Sequence, residues 1–450
     1  MNPADRPIPE IASQLRDRRL RVPDLIEAHL DRIAARNPTL SALVGVDADA
    51  ARQAAVNAER DLRAGDDRGP LHGIPFAVKD LIDIEGQSKT CGSRRFADRV
   101  ATADAAVITR LRAAGAIPIA RAATYEFALT GPSFDAAYPP SLNPWSADHI
   151  TGGSSSGSAS AVAGGMLRLA LGTDTGGSVR SPAAYCGIVG LKPTYGLVPM
   201  GGVFRLSPSL DHLGPMAASV AEAALMLDAM APGCGAAAAL GHDIKGLRIG
   251  YARDWFAHDP DAARDLVAAV DDAASALSML GAEITLVRMP DYALAESAGA
   301  VILHSEALEI HRDGLTDSFD LYGRQPRQSL AGGVGLTAED VARAQAAGHR
   351  ISAAIDALLD ECDVILAPTT LAPAPPVAAF RGDETVWTVM RTLPFNLTGH
   401  PAMSVPIGFS EGLPLGMQIV GARRAEAMIC RIGAAFEAAT DHSAQRPYFA

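Results

Sequence analysis

The sequence is poor in lysine. Of its 39 basic residues only four are Lys, at positions 79, 89, 192 and 245, and the other 35 are Arg. A chain that nearly always chooses Arg for a cation needs a reason to place a Lys in an apolar setting. Long apolar runs are lacking too: Ala183–Leu191 and Ala236–Leu240 fall far short of the roughly 20 residues of a membrane span, so no transmembrane helix is expected. Residues 1–22 carry acidic and basic side chains throughout, which is not the pattern of a secretory leader. Cys91, Cys186, Cys234, Cys362 and Cys430 are odd in number, scattered, and form no CxxC pair. Neither a disulfide framework nor a zinc site is therefore expected, and a reducing cytoplasm fits the usage. Cations are also outnumbered, 39 against 51 acidic residues, and the net charge of −12 disfavours direct attraction to nucleic acid or anionic lipid. The expected partner is a small molecule that need not be a polyanion.

With 450 residues, 48% of them hydrophobic, there is ample material for a large core. Residues 8–66 read as helices, with Ile11 and Leu15, then Leu25, Ile26, Leu30 and Ile33, at helical spacing after Pro23. From Gly73 short buried strands alternate with helices: strands at 74–78, 117–120, 169–172, 188–192 and 247–251, helices near 105–114 and 156–166, and a polar loop at 137–153. Strand character returns at 364–367, 402–406 and 416–420. The predicted fold class is α/β, a single large mixed β-sheet covered on both faces by α-helices. Residues 1–66 are expected to form an N-terminal helical layer packed on the core. Residues 67–450 then form one structural unit in which 259–360 is a mostly helical periphery.

One stretch resists a simple reading: TGGSSSGSASAVAGGMLRLALGTDTGGSVRSPAAYCG, from Thr151. Composition suggests a Gly/Ser linker, but the apolar run joined directly to it is typical of backbone packed between core elements. Gly153–Gly157 matches the G-x-S-x-G nucleophile elbow, yet the three prolines and absent strand pattern of 139–152 do not supply the strand that motif requires. A phosphate loop fails because no GK[ST] closes it. The DTG at Asp174–Gly176 has no second copy to form an aspartic dyad. A serine made nucleophilic without histidine needs another base within reach, and a neutral lysine qualifies where arginine does not. Lys79 lies in HGIPFAVKDLID among Phe76, Ala77, Val78, Leu81 and Ile82, where desolvation would lower its pKa. Taken alone, the segment leaves open that Lys79 merely pairs with Asp80 or Asp83 at the surface.

HGIPFAVKD, TGGSSSGSASAVAGG and GTDTGGSVRSPAAYCGIVGLKPT, in that order, resemble the amidase signature family of Ser–Ser–Lys hydrolases, as do HLGPMAAS at 212–219 and FNLTGHPAMSVP at 395–406. The resemblance implies Ser178 as nucleophile, Ser154 as bridging serine and Lys79 as base. It also implies a cis peptide between Gly153 and Ser154, although Ser156 stands where the family commonly has Gly. The Thr175-Gly176-Gly177-Ser178 turn is expected to supply backbone N–H groups to an oxyanion. Ser155 is expected to hydrogen-bond within the relay, and Asp174 with Arg180 to form a structural pair beneath the nucleophile loop. Tyr185 and Cys186 read as core, and no histidine is assigned a catalytic role. No metal or organic cofactor is expected. The implied activity is hydrolysis of a small carboxamide or an aryl or alkyl amide. The alternatives are the glutaminase subunit of a tRNA-dependent amidotransferase, or a ureido- or carboxybiuret-type amidohydrolase. Specificity is expected to reside in 125–135, 290–345 and 380–396, with Trp387, Arg391 and Phe395 as candidate pocket residues; a homodimer is left open.

Overall fold

The computed structural model describes residues 2–134, 136–383 and 385–447. It opens with helices α1 (Ile8–Arg16) and α2 (Val22–Leu40), each with a proline in its first turn. They bury Ile11, Leu15, Leu25, Ile26, Leu30 and Ile33, as the helical spacing predicts. Before α3 (Ala48–Ala64) comes a strand the periodicity did not disclose, β1 (Leu43–Val46), so residues 8–66 are not helical throughout. The chain continues through β2 (Pro75–Lys79), α4 (Ala106–Ala113) and β3 (Ile117–Ala122). A small hairpin, β4 (Leu142–Asn143) and β5 (Ser146–Ile150), then occupies the expected polar loop. Next come α5 (Ser156–Ala163), β6 (Leu169–Asp174), α6 (Arg180–Cys186), β7 (Val189–Lys192), β8 (His212–Ala217), α7 (Val220–Met230) and β9 (Arg248–Tyr251). The periphery holds α8 (Arg264–Met279), α9 (Tyr292–Asp317), α10 (Arg324–Ala331) and α11 (Ala338–Glu361), and also β10 (Glu283–Leu286), which interrupts the expected helical run. The last elements are β11 (Val364–Pro368), α12 (Pro394–Leu397), β12 (Ala402–Ser410), β13 (Leu413–Gly421) and α13 (Glu426–Ala439).

All strands but β4 and β5 join one mixed sheet of 11, in the order β1-β3-β2-β6-β8-β7-β12-β13-β11-β9-β10. β3, β2 and β6 run parallel, as do β11, β9 and β10, and the pairs between these groups are antiparallel. Every residue of β2, β6, β7, β8, β11 and β13 is buried. Successive side chains on a strand point to opposite faces, so the middle of the sheet is covered on both sides. The cover includes α5 on β6 and β2, α7 on β8, and α13 on β13. The helices of residues 8–64 bury their apolar stripes in the same main core cluster as the sheet.

This topology sets the site. Lys79 is the last residue of β2 and Asp174 the last of β6, and these adjacent strands are parallel. Their C-terminal ends therefore open in the same direction, where crossover loops of α/β sheets commonly form a crevice. The turn into α6 leaves from β6, and the serine-rich loop arrives at the start of α5 on the same side.

Candidate active site

The β2 residues Phe76, Ala77 and Val78 are wholly buried and carry Lys79 with them. Lys79 Nζ lies 2.8 Å from Ser154 Oγ, 2.9 Å from Ser155 Oγ and 2.7 Å from Thr173 Oγ1, donating to all three in its ammonium form. Removal from water pushes its amine from the ordinary 10.5 down to about 7, against the pull of the Asp174 and Asp211 carboxylates. The surface pairing that the segment left open is not what forms. Asp80 instead pairs with Arg121 at 2.7 Å, and Asp83 with Lys89 at 2.5 Å.

A neutral amine has two N–H donors and one lone pair. Ser155 Oγ donates its proton to the Thr173 carbonyl at 3.1 Å, so toward Lys79 it can only accept. The lone pair is then available to a hydroxyl that still has its proton to give, and Ser154 is the one beside the cavity. Ser155 also ties the two loops together, because its N–H donates to the Ser178 carbonyl at 3.2 Å. It is fully buried, and β5 before it lies outside the main sheet, so it is not the exposed serine of a nucleophile elbow.

The Gly153–Ser154 peptide is cis. Gly153 has a further reason to be glycine: a Cβ there would sit 2.3 Å from the Tyr125 ring. Tyr185 walls off the neighbouring Gly152, where a Cβ would fall 2.7 Å from its ring. Tyr185 and Cys186 are both buried and form part of the packing, as their sequence setting suggested.

Below the second loop, Asp174 and Arg180 are both wholly buried and bonded at 3.0 Å. Burial opposes ionisation of Asp174, but the Arg180 guanidinium, with Lys192 and the Asn396 amide, outweighs it and holds the carboxyl well below the usual range. Arg180 Nη1 donates to the Thr392 carbonyl and to Gln418 Oε1, both at 3.0 Å, and Nη2 donates to Asn396 Oδ1 at 2.7 Å. Asn396 Nδ2 returns a bond to Asp174 Oδ1 at 2.8 Å. Thr173, Thr392, Asn396 and Gln418 escaped the sequence reading. Thr173 and Asn396 had a signal, since they lie in the quoted GTDTGGSVRSPAAYCGIVGLKPT and FNLTGHPAMSVP.

Of the four amides named as oxyanion donors, one is already spent. Gly177 N–H donates to Asp174 Oδ1 at 2.8 Å, which leaves Thr175, Gly176 and Ser178. Gly177 holds φ +129°, and a Cβ there would strike Thr392 Oγ1 at 2.2 Å, so both backbone conformation and space require glycine.

Ser154, Thr175, Gly176, Gly177 and Ser178 line one cavity of about 370 Å³. All three segments expected to carry specificity contribute, through Tyr125 and Leu129, through Tyr292, Glu296, His304 and Ser329, and through Trp387, Met390 and Leu393. Asp135 and Glu384 of those segments lie outside the described residues. Two of the three candidate pocket side chains do not line it. Phe395 is buried against Trp255, and Arg391 stacks 4.0 Å behind the Tyr292 ring while paired with Asp259. Glu296 is the one acidic side chain among the described lining residues, which include no Lys or Arg. It accepts from the Tyr292 hydroxyl at 2.9 Å, while burial lowers the pKa of His304 and favours its neutral form. Among the described residues no three His, Cys, Asp or Glu side chains cluster as a metal site, and no helix is long and apolar enough to cross a membrane.

A profile of the Amidase family matches residues 24–430. The chain belongs to the amidase signature family. This amidase is 35% identical to the glutamyl-tRNA(Gln) amidotransferase A subunit of Lysinibacillus sphaericus, with 98% of each chain covered. Its fold superposes at TM-score 0.82 on the peptide amidase of Stenotrophomonas maltophilia, at 28% identity and 98% coverage of both chains. It also matches, at TM-score 0.88 and 32% identity over 95% of this amidase and 97% of the other chain, a structure from a vestigial complex bearing on the origins of an s-triazine catabolic enzyme. The amidase is thus an enzyme of carbon–nitrogen bond chemistry, and its mixed 11-stranded sheet is the family's fold.

Proposed function

We propose that this amidase hydrolyses the amide bond of a small neutral or cationic carboxamide, acting alone through a Ser178 acyl-enzyme. The observation that carries this reading is the Lys79 amine, wholly buried, pushed down to about 7 and bonded to Ser154 at the cavity wall. Neutral Lys79 accepts the Ser154 proton as Ser154 accepts that of Ser178, and Ser178 Oγ adds to the amide carbonyl. The oxyanion forms toward the Thr175, Gly176 and Ser178 N–H groups, each such donor being worth about 3–4 kcal/mol to the transition state. The carbon–nitrogen bond then breaks as the proton held on Lys79 returns through Ser154 to the departing nitrogen. Water, deprotonated along the same relay, cleaves the ester and releases the acid.

Charge in the cavity supports the substrate class. The walls are largely apolar, with Leu129, Ile150, Leu206, Leu303 and Leu393, and among the described lining residues the one acidic or basic side chain besides His304 is that of Glu296. A substrate carboxylate would enter without a cationic partner among the described lining residues, whereas an amine at the Glu296 end would find a carboxylate. A second reading rests on a different observation: curated relatives at 35–37% identity, matched over nearly the whole of both chains, are named as amidotransferase A subunits. On that reading glutamine is the ammonia source and a partner subunit is required.

The test is ammonia or amine release by the purified chain from aliphatic amides, anilides, dicarboxylic monoamides, ureido compounds and glutamine. Neutral and cationic amides are expected to be cleaved ahead of anionic ones, and Glu296→Gln to narrow the gap between cationic and neutral substrates several-fold. Cleavage of glutamine alone, and only with a partner subunit present, would replace the first reading with the second.

A further inference from the structure

The peptide unit between Gly176 and Gly177 is gripped from both sides. Its carbonyl oxygen accepts from Thr392 Oγ1 at 2.6 Å, and its N–H donates to Asp174 Oδ1 at 2.8 Å. The C=O and N–H of a trans peptide point in opposite directions in one plane, so neither grip lets the plane turn without breaking the other. Turning it over would set the carbonyl against the buried Asp174 carboxylate.

Thr392 is built for this contact. It is wholly buried, its Oγ1 fills the space a Gly177 side chain would take, and its own carbonyl accepts from Arg180 Nη1 at 3.0 Å. Its neighbours Met390 and Leu393 line the cavity while Thr392 itself does not. One residue thereby joins the substrate wall to the nucleophile loop.

We propose that Thr392 is a positioning residue for the oxyanion site. Its hydroxyl fixes the Gly176–Gly177 peptide, so that the Gly176 and Ser178 N–H groups on either side stay aimed at the developing charge. The inference rests on the reading of Ser178 as nucleophile. A preorganised donor stabilises charge because it needs no reorientation as the charge forms, and a loosened peptide forfeits that advantage.

The experiment compares wild type, Thr392→Val and Thr392→Ser in three measurements. These are kcat and KM on the best amide of the panel, the rate of Ser178 labelling by a fluorophosphonate, and affinity for a boronic acid that mimics the tetrahedral intermediate. Thr392→Val is expected to lower kcat by about 10- to 100-fold, less than outright loss of an oxyanion donor, with KM within about twofold. Labelling and boronate affinity fall in parallel, and Thr392→Ser, which keeps the hydroxyl, restores most of each. Unchanged kcat and boronate affinity in Thr392→Val would overturn the inference. So would equal impairment of the two variants, which would assign the effect to any change of shape at this position rather than to the hydroxyl. A wild-type protein that is not labelled at Ser178 would overturn the functional reading beneath it, whereas labelling that no Thr392 substitution slows would overturn this inference alone.

Discussion

Two lysines end strands of the same sheet, and both are wholly buried: Lys79 closes β2 and Lys192 closes β7. Burial lowers the pKa of each amine, for Lys192 with added repulsion from Arg180. What separates them is what they touch. Lys79 meets the hydroxyls of Ser154, Ser155 and Thr173, whereas Lys192 donates to the carbonyls of Pro193 and His400 at 3.0 and 2.6 Å. A carbonyl oxygen has no proton to give, while a hydroxyl can both give and take one. Desolvation makes either residue a poor ammonium, but only hydroxyl neighbours facing a cavity turn the resulting amine into a base. Lysine scarcity and an apolar setting mark both residues equally in the sequence, so the partners carry the distinction.

The comparison breaks most readily at the lysines themselves. Lys79→Arg keeps the charge but cannot be neutral, and kcat is expected to fall by roughly 10³-fold or more. Lys192→Met should keep kcat within about tenfold yet lose about 1–3 kcal/mol of stability as its carbonyl partners lose a buried donor, read by denaturant unfolding. Equal loss of kcat in the two variants would remove the distinction. The pH profile sharpens it. With neutral Lys79 as the proposed base, kcat/KM should climb about tenfold per pH step below about 7 and level off above it, in wild type and Lys192→Met alike. Stability carries the same signature with a fixed sign. The folded-state pKa of Lys79 lies below its unfolded value, so between about 7 and 10.5 the unfolded chain holds the extra proton. Wild type should therefore gain stability relative to Lys79→Met as pH rises through that window, by a few kcal/mol in all, with no further change in the difference below it. The smallest effect is expected from Thr173→Val, which removes one acceptor of the ammonium. The acidic limb of the rate profile should move to lower pH by less than about one pH unit, and a shift upward would contradict the assigned hydrogen bond.

Much of this was legible because it is local. Pro75–Lys79, Leu169–Asp174 and Val189–Lys192 are apolar until a polar or charged end, which is how strands covered on both faces read up to the point where they meet a site. β1 and β10 were missed because edge strands are half exposed: Leu286 and Val46 face solvent, and the alternation is too short to distinguish from loop or helix. The β4–β5 hairpin was hidden by its prolines and by a bulged register. At the site, the motif-bearing residues Lys79, Ser154 and Ser178 were nameable, while Thr173, Thr392 and Gln418 were not. Each of those three matters through contacts with atoms distant in sequence, and no spacing encodes such contacts. Arg391 shows the converse: named as a candidate pocket residue, it lies behind the wall and is paired with Asp259.

The clamp around Arg180 also has a consequence in time. Its partners Thr392, Asn396 and Gln418 lie 212, 216 and 238 residues further along the chain. During synthesis Lys79, Ser154 and Ser178 of the proposed relay emerge long before the groups that hold the Ser178 loop in shape. Until β13 docks, the Arg180 guanidinium has donors that a folded interior would leave unsatisfied, so the loop has no reason to settle. Catalytic competence should therefore arrive late and all at once, after Gln418 is in place, and a growing chain that already carries Lys79, Ser154 and Ser178 would still be inert toward amides.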